Sequence, residues 1–371
     1  MENNNKFKIC LGVICLLAVL VVTLITTVER DKISSFKIGF VGPLTGPGAA
    51  WGLEHKNMLE LLKMEINSKG GVRGLPIEII YEDGKCEGKE SVTAAQKLIN
   101  VDKVKSLLTS CSAASLAVAP LAREAKIPLF ALWTTSPDFP SGDYIIRVSY
   151  SDSDTAKFMA DLFNKRYRKI AVLTEENDYS VGILNALKKK FTGTITDEKF
   201  SSDSRDFKTQ ITRILSVAPE IVIINPNSLA TGLEILKELK TFGYTGPVFG
   251  NFFGGSSDVV GSKYAEKMIY FADPVVTDSE LKRKIFAKYL ELYHEKLNYE
   301  YGAAASFDAL NIIGQAISSV GTNPEMIKDY VSRNKFEGLL GRYSFKDGNL
   351  VGSSPVVSQI VGGKSIPYIE K

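Results

Sequence analysis

The chain has 371 residues, of which 44% are hydrophobic and 23% charged, and its formal net charge is +3. This length exceeds what a single hydrophobic core usually serves, so the composition predicts a globular protein of two domains. The small net charge, without a basic block, argues against nucleic acid as a partner.

The N-terminal region contains an uncharged, almost wholly apolar run at residues 9–28, preceded by two lysines. About 20 helical residues cross a hydrocarbon core, and flanking lysines stay in the cytoplasm. Residues 1–35 are therefore predicted to be a membrane anchor or signal segment, with the remainder exported. An uncleaved anchor and a cleaved signal both stay open because no clear Ala-x-Ala site is present, and Cys15 adds a lipoprotein interpretation.

Strands and helices alternate after this segment in two consecutive sets. The first predicted set is strand Lys37–Val41, helix Gly52–Ser68, strand Leu75–Tyr81, helix Lys89–Asn100, strand Lys105–Thr109, helix Ala113–Lys126 and strand Pro128–Trp133. The second is extended Tyr144–Ser149, a helix ending at Tyr167, strand Lys169–Thr174, helix Tyr179–Phe191, strand Ile195–Phe200, helix Phe207–Val217, strand Glu220–Asn225, helix Leu229–Phe242 and strands Pro247–Phe252 and Lys267–Asp273. Three helices follow, Ser279–Leu297, Ala303–Val320 and Pro324–Asn334, and then short strands at Arg342–Phe345, Pro355–Ile360 and Ser365–Ile369.

This alternation is typical of an α/β protein. Two open parallel sheets each offer binding loops at the carboxyl ends of their strands, and a ligand fits between two such edges. The order of elements therefore predicts a cleft between two sheets as the binding site.

Two cysteines and two histidines lie in the exported part. Cys86 and Cys111 each follow a predicted strand, which makes them disulfide candidates in an oxidising compartment, with two unrelated free thiols as the alternative. His55 and His294 lack ligand spacing and are predicted to be surface residues, so no metal site is expected.

Several short motifs follow one another in a fixed order. They are Val41-Gly-Pro-Leu-Thr-Gly46, Glu65-Ile-Asn-Ser-Lys-Gly-Gly-Val72, Tyr81-Glu-Asp-Gly-Lys-Cys86, Ser110-Cys-Ser112, Trp133-Thr-Thr-Ser-Pro137, Asp178-Tyr-Ser-Val-Gly182 and Ser306-Phe-Asp-Ala309. Together these motifs resemble the branched-chain (Leu/Ile/Val) amino-acid binding proteins, the type I periplasmic solute-binding proteins of ABC transporters. The resemblance covers about residues 36–371.

The resemblance implies the type I periplasmic-binding-protein fold, with two Rossmann-like lobes of parallel sheet joined by a three-crossing hinge. Lobe one would comprise residues 36–152 plus 276–338, and lobe two residues 153–275 plus 339–371. It also implies a disulfide between Cys86 and Cys111.

The resemblance implies a site for a ligand carboxylate at the start of a helix. Ser112 and Thr135, with Thr134 beside it, correspond to the hydroxyls that contact the carboxylate in the family. Unpaired amides and the helix dipole favour an anion there. The alternative for Ser112 is a purely structural role as the N-cap of its helix.

Aromatic residues correspond to the walls of the same site. Trp51 and Tyr179 align with aromatic positions of the family, whereas Trp133 lies where the family usually has a small residue whose backbone carbonyl accepts from the ligand ammonium. Core packing is the alternative for each of the three. The family's acidic partner of the ligand ammonium aligns with Phe252, and a family tyrosine aligns near Asn227, so this chain departs from the family at both positions.

A desolvated ammonium without a counter-charge is costly. Either the ligand lacks a free ammonium group, or a shifted acid supplies the charge; the candidates are Glu176, Asp178, Asp258 and Asp308. The aromatic residues favour a ligand with a carboxylate and an apolar or aromatic body, so a plain α-amino acid is expected to bind poorly.

The predicted function is that of an extracytoplasmic solute-binding protein of an ABC-type importer, which captures an amino acid or a related apolar or aromatic acid by lobe closure. Its partners would be this ligand, ABC permease subunits and the membrane, through residues 9–28, and no cofactor is expected. A membrane-tethered ligand-sensing module of the same fold is the alternative. An enzyme is not expected, because neither a Gly-x-Ser-x-Gly nor a Gly-x-Gly-x-x-Gly motif occurs.

Overall fold

The computed structural model describes residues 35–369. The predicted anchor at residues 9–28, with Cys10 and Cys15, lies outside the described residues. Among residues 35–369, no helix combines the length and the apolar character needed to cross a bilayer.

The described residues form an α/β structure. Its strands are β1 (Phe36–Gly42), β2 (Ile77–Asp83), β3 (Ser106–Thr109), β4 (Leu129–Ala131), β5 (Ile145–Arg147), β6 (Lys169–Glu175), β7 (Thr194–Phe200), β8 (Ile221–Asn225), β9 (Val248–Gly250), β10 (Ile269–Ala272), β11 (Lys335–Gly338), β12 (Gly341–Lys346), β13 (Asn349–Val351), β14 (Val356–Val361) and β15 (Lys364–Pro367). Its α-helices are Ala49–Ser68, Gly88–Asn100, Ser112–Glu124, Asp152–Arg166, Asp178–Lys188, Lys208–Ser216, Leu229–Thr241, Ser257–Val260, Glu280–Tyr293, Glu300–Val320 and Pro324–Arg333.

The strands form two sheets, as predicted. The first has eight strands in the order β11-β12-β13-β5-β4-β3-β1-β2, and the second has seven in the order β15-β14-β10-β9-β8-β6-β7. Pairing is parallel from β2 to β13 in the first sheet and from β7 to β10 in the second. The strand order reverses between β1 and β3 and again between β6 and β8, and such switch points open a crevice for ligands.

Apolar side chains cover both faces of each sheet. In β6, Ile170 and Val172 enter one core cluster, while Ala171 and Leu173 enter the cluster on the opposite face. This alternation follows from the two-residue period of a strand, and burial on both faces is typical of parallel sheets.

The chain passes between the sheets three times, after β5, after β10 and after β13. The predicted assignment of residues 339–371 to the second lobe is wrong for Gly341–Val351, because β12 and β13 belong to the first sheet. Tyr343, Phe345 and Leu350 pack into the core of that sheet, which explains the pairing.

The prediction that His55 is a surface residue is also wrong. His55 lies on the Ala49–Ser68 helix, and its side chain is fully buried. This burial lowers the pKa of His55 to about 3. The neighbouring helix approaches closely because Gly302 has no side chain: a Cβ there would lie 2.5 Å from Nε2 of His55. His294 is exposed, as predicted.

Candidate functional site

A cavity of about 40 Å³ lies where the carboxyl ends of strands from both sheets meet. Residues that follow or pack beside the first sheet contribute Trp51, Cys86, Cys111, Ser112, Ala113, Trp133, Thr135 and Tyr150. Residues that follow strands of the second sheet contribute Asn177, Tyr179, Asn227 and Phe252. The cavity therefore depends on both halves of the molecule.

Seven of the eight residues predicted to bind ligand line this cavity, and Thr134 does not. The hydroxyl of Thr134 lies 2.6 Å from Oγ of Ser115 and donates to the carbonyl of Cys111 over 3.3 Å. Thr134 therefore supports the loop beneath the cavity, and ligand binding by the other seven stays a prediction.

The Ser112–Glu124 helix begins at the cavity. Ser112 is its first residue, while Cys111 occupies the N-cap position, so the alternative that Ser112 caps the helix is wrong. The Ser112 hydroxyl accepts a hydrogen bond from the backbone N–H of Ser136 over 3.2 Å. First-turn amides have no partner within a helix, and with the helix dipole they favour an anion at this end.

A buried arginine holds the neighbouring loop. Arg147 donates from Nη1 to the carbonyls of Thr134 over 3.2 Å and Ser136 over 2.9 Å. Thr135 lies between these two anchored residues, so its position at the cavity is fixed from below. Burial lowers the pKa of Arg147 to about 10.

The predicted disulfide between Cys86 and Cys111 is present, with the two Cα atoms 5.9 Å apart. It joins the loop after β2 to the loop after β3, and both cysteines line the cavity. The disulfide thus ties the residue before Ser112 to the neighbouring strand connection.

Aromatic rings form a continuous wall across the two sheets. The ring centroids of Trp51 and Trp133 lie 6.3 Å apart, those of Trp133 and Phe252 5.5 Å, and those of Phe252 and Tyr179 5.7 Å. Edge-to-face contacts of this kind are favourable. Trp51 is in a helix, not a loop, and it is only 5% exposed, so its ring serves both the core and the cavity wall.

A further ring, that of Tyr299, packs against Trp51 and Trp133 at centroid distances of 6.2 and 5.8 Å. Its backbone N–H donates to Oε2 of Glu54 over 2.9 Å, and the N–H of Asn298 donates to Oε1 over 2.8 Å. The buried carboxylate of Glu54 therefore positions Tyr299 behind the two tryptophans.

None of the four acids considered from the sequence lines the cavity. Glu176, Asp178 and Asp258 are exposed. Asp308 is fully buried and accepts hydrogen bonds from the N–H groups of Leu339 over 2.8 Å and Leu340 over 2.9 Å. Asp308 is therefore a brace for the chain that enters β12.

Four polar or aromatic residues at the cavity were not predicted from the sequence. Tyr150 and Asn177 line the cavity, and Asp152 and Asp273 lie close behind it. Oδ1 of Asp273 accepts hydrogen bonds from Trp133 Nε1 over 3.2 Å and from the Tyr150 hydroxyl over 2.8 Å. All four follow the carboxyl end of a parallel strand, which is the signal that points to them.

Both missed carboxyl groups have perturbed titration. Burial raises the pKa of Asp152 to about 7 and that of Asp273 to about 6, because a carboxylate loses hydration there. Arg147 is the cation that acts on Asp152. Above about pH 7 both acids are ionised, and they then place negative charge, only partly compensated by Arg147, beside the aromatic wall.

Comparisons of this chain with known proteins are consistent with one another. Residues 35–364 match the family model described as periplasmic binding protein, and the chain belongs to this family. It is 24% identical over 331 residues to the leucine-, isoleucine-, valine-, threonine-, and alanine-binding protein of Pseudomonas aeruginosa, covering 84% of this chain and 86% of that protein. Alignments with two other curated Leu/Ile/Val-binding proteins span 60% and 51% of their length.

Solved structures show the same fold. The leucine-binding protein LivK of Thermotoga maritima is 25% identical, with a TM-score of 0.78 over 90% of this chain and 97% of that chain. A solute-binding protein from R. palustris in complex with benzoate is 19% identical, with a TM-score of 0.77 over 90% and 95%. The predicted family, the type I fold and the prediction that the chain is not an enzyme are confirmed by these matches. Membership of this family implies a location outside the cytoplasm.

Proposed function

We propose that this protein is the solute receptor of an ABC importer and that it encloses a small carboxylate-bearing solute between its two lobes. Lobe one would comprise residues 36–152 with 276–351, and lobe two residues 153–275 with 352–369. The observation that carries the proposal is the cavity lined from both sheets, with the Ser112–Glu124 helix beginning at its wall. Amides at that helix end, with the Ser112 and Thr135 hydroxyls, suit a carboxylate.

Closure follows from the size and the lining of the cavity. A volume of about 40 Å³ is well below the roughly 300–1,000 Å³ of pockets that hold small molecules. A solute as large as an amino acid therefore requires the lobes to separate for entry. Contacts from both lobes then favour the closed form by their differential affinity.

The relatives and the cavity lining together indicate the class of solute. One is named for five aliphatic or small amino acids, and a structural neighbour holds benzoate. In this chain the cavity is lined by aromatic rings and lacks a lining carboxylate among residues 35–369, so a plain α-amino acid is expected to bind weakly. Permease subunits would receive the solute, and residues 9–28 would hold the receptor at the membrane.

Small-angle scattering and thermal unfolding of the purified exported part test this proposal. A panel of leucine, valine, benzoate and other small carboxylates is expected to contain at least one compound that raises the melting temperature and reduces the radius of gyration. The uncharged amide of that compound serves as the control and should do neither. If no carboxylate in the panel changes either quantity, the proposal is wrong.

A further inference from the structure

The lining of the cavity combines two kinds of chemical group. It includes the start of the Ser112–Glu124 helix and five aromatic rings; the rings are those of Trp51, Trp133, Tyr150, Tyr179 and Phe252. Among residues 35–369, no lysine, arginine, aspartate or glutamate lines the cavity. The lining therefore combines the dipoles of helix-end amides with the π-systems of the rings.

A partly buried carboxylate is hydrogen-bonded to two of these aromatic side chains. Asp273 accepts hydrogen bonds through Oδ1 from Trp133 and Tyr150, two residues that themselves line the cavity. Within the described chain, no lysine or arginine forms an ion pair with Asp273, and the one cation acting on the nearby Asp152 is Arg147. With both acids ionised, this region carries more negative than positive charge.

We propose that the solute is a small betaine, a carboxylate joined to a methylated ammonium group, whose cationic end lies against the five rings in front of Asp273. This inference rests on the proposed function, because it names the class of solute that the same cavity takes. The carboxylate of the betaine would face the start of the Ser112–Glu124 helix.

A primary ammonium group fits this aromatic lining less well than a methylated ammonium group does. It has three N–H donors that need acceptors once water is removed, and no carboxylate reaches the cavity surface in the described part of the chain. The side-chain oxygen of Asn177 already accepts from the N–H of Ser180 over 2.9 Å. A methylated ammonium needs no such acceptors and is attracted to aromatic faces, an attraction that desolvation strengthens.

A purely anionic aromatic acid also fits less well. Its ring would pack favourably on the aromatic wall, but it would add a negative charge to a region that already holds Asp152 and Asp273. A betaine brings one positive and one negative charge, and it places the positive charge where the protein lacks one. Charge balance therefore separates the two classes of solute.

Calorimetric titration with a matched pair of ligands tests the inference. Trimethylglycine and tert-butylacetate (the carboxylate 3,3-dimethylbutanoate) have the same shape, and only trimethylglycine carries a positive charge. We expect trimethylglycine to bind about tenfold more tightly or better, the ratio that corresponds to about 1.4 kcal/mol. Equal affinities, or tighter binding of tert-butylacetate, would overturn the inference.

Two variants test which side chains cause the preference for trimethylglycine over tert-butylacetate. Asp273→Asn is expected to reduce the affinity ratio of the pair at least about fivefold, since loss of the negative charge behind the rings weakens trimethylglycine binding and does not weaken binding of the anionic tert-butylacetate. Tyr179→Leu is expected to reduce the ratio about threefold, and it serves even if Asp273→Asn does not fold. Asp258→Asn, which removes an exposed acid, is the control and should preserve the ratio. A ratio unchanged in Tyr179→Leu and in any folded Asp273→Asn protein contradicts the inference.

The ligand panel separates this inference from the proposed function. If benzoate or leucine closes the lobes while trimethylglycine does not bind, solute capture stands and the betaine assignment falls. If no carboxylate binds or causes closure, both fall.

Discussion

The indole N–H of Trp133 donates a hydrogen bond to Oδ1 of Asp273 over 3.2 Å. Trp133 follows β4 in the first sheet, and Asp273 follows β10 in the second, at the point where the chain returns to the first sheet. This bond therefore connects a wall of the cavity to one of the three crossings between the sheets. It gives the cavity wall and this crossing a shared contact to a carboxyl group.

Trp133→Phe keeps an aromatic ring but removes this donor. We expect the free energy of unfolding at about pH 8 to fall by about 1–3 kcal/mol, because the partly buried carboxylate of Asp273 loses one of its two donors. Near pH 4 the loss should be smaller, since Asp273, whose pKa burial raises to about 6, is then protonated and uncharged. Urea unfolding at both pH values measures the difference. Trp51→Phe is the control, and a pH-independent loss in Trp133→Phe would contradict the assignment.

Neighbouring threonines on one loop provide a test of the carboxylate site. Thr135 lines the cavity and Thr134 does not, although the two are adjacent. Thr135→Ala and Ser112→Ala are expected to weaken carboxylate binding by about 1–3 kcal/mol each, the cost of leaving a buried charged group short of a donor. Thr134→Ala should lower the melting temperature and leave the affinity unchanged. Calorimetric titration with the tightest-binding carboxylate of the panel compares the three variants with the wild type. Wild-type affinity in all three would exclude the hydroxyls of Ser112 and Thr135 from the site.

The disulfide offers a third test because it precedes the helix that begins at the cavity. Replacing Cys86 and Cys111 together by serine opens a loop with a sequence separation of 25 residues. We expect the free energy of unfolding to fall by about 3 kcal/mol, since the unfolded chain gains freedom. Carboxylate affinity should fall as well, because Cys111 is joined directly to Ser112. Wild-type protein under reducing conditions should reproduce both losses, and an unchanged affinity in both samples would separate the disulfide from ligand binding.

Most of the fold follows from local sequence signals. Strand β6 spans Lys169–Glu175, one residue longer than the predicted Lys169–Thr174. It was predictable because continuous apolar runs mark strands of a parallel sheet. Strand β13 was missed because it has three residues, and its parallel pairing rests on one contact between Asn349 and Arg147. Such a strand is defined by a tertiary neighbour, so its own sequence does not predict it. The lobe assignment of Gly341–Val351 failed for the same reason.

The lining of the cavity was predictable where motifs repeat a family pattern and not elsewhere. Ser112 and Thr135 follow β3 and β4, which are neighbours in the first sheet, so the strand order brings them together at one edge. Asp273 was missed because its significance depends on two side chains, those of Trp133 and Tyr150, that approach it only after the chain has crossed between sheets. The burial of His55 depends on Gly302, which is far from it in sequence.

A final prediction concerns Asp152, which is 2% exposed and lies where the chain first leaves the first sheet. Burial raises its pKa from 3.8 to about 7, so the folded state binds a proton that the unfolded state releases. The contribution of this group to the free energy of unfolding is therefore lost as pH rises from about 4 to about 7, and it stays low above that range. Asp152→Asn removes this loss.

The stability of Asp152→Asn relative to wild type should therefore increase with pH across that window. The increase should amount to a few kcal/mol, at about 1.4 kcal/mol for each unit of pKa difference. Urea unfolding of both proteins at several pH values between about 4 and 8 measures it. Asp258→Asn, an exposed acid, should show a flat difference over the same range. A flat difference for Asp152→Asn would mean that this carboxyl is ionised in the folded protein throughout and that Arg147 compensates it fully.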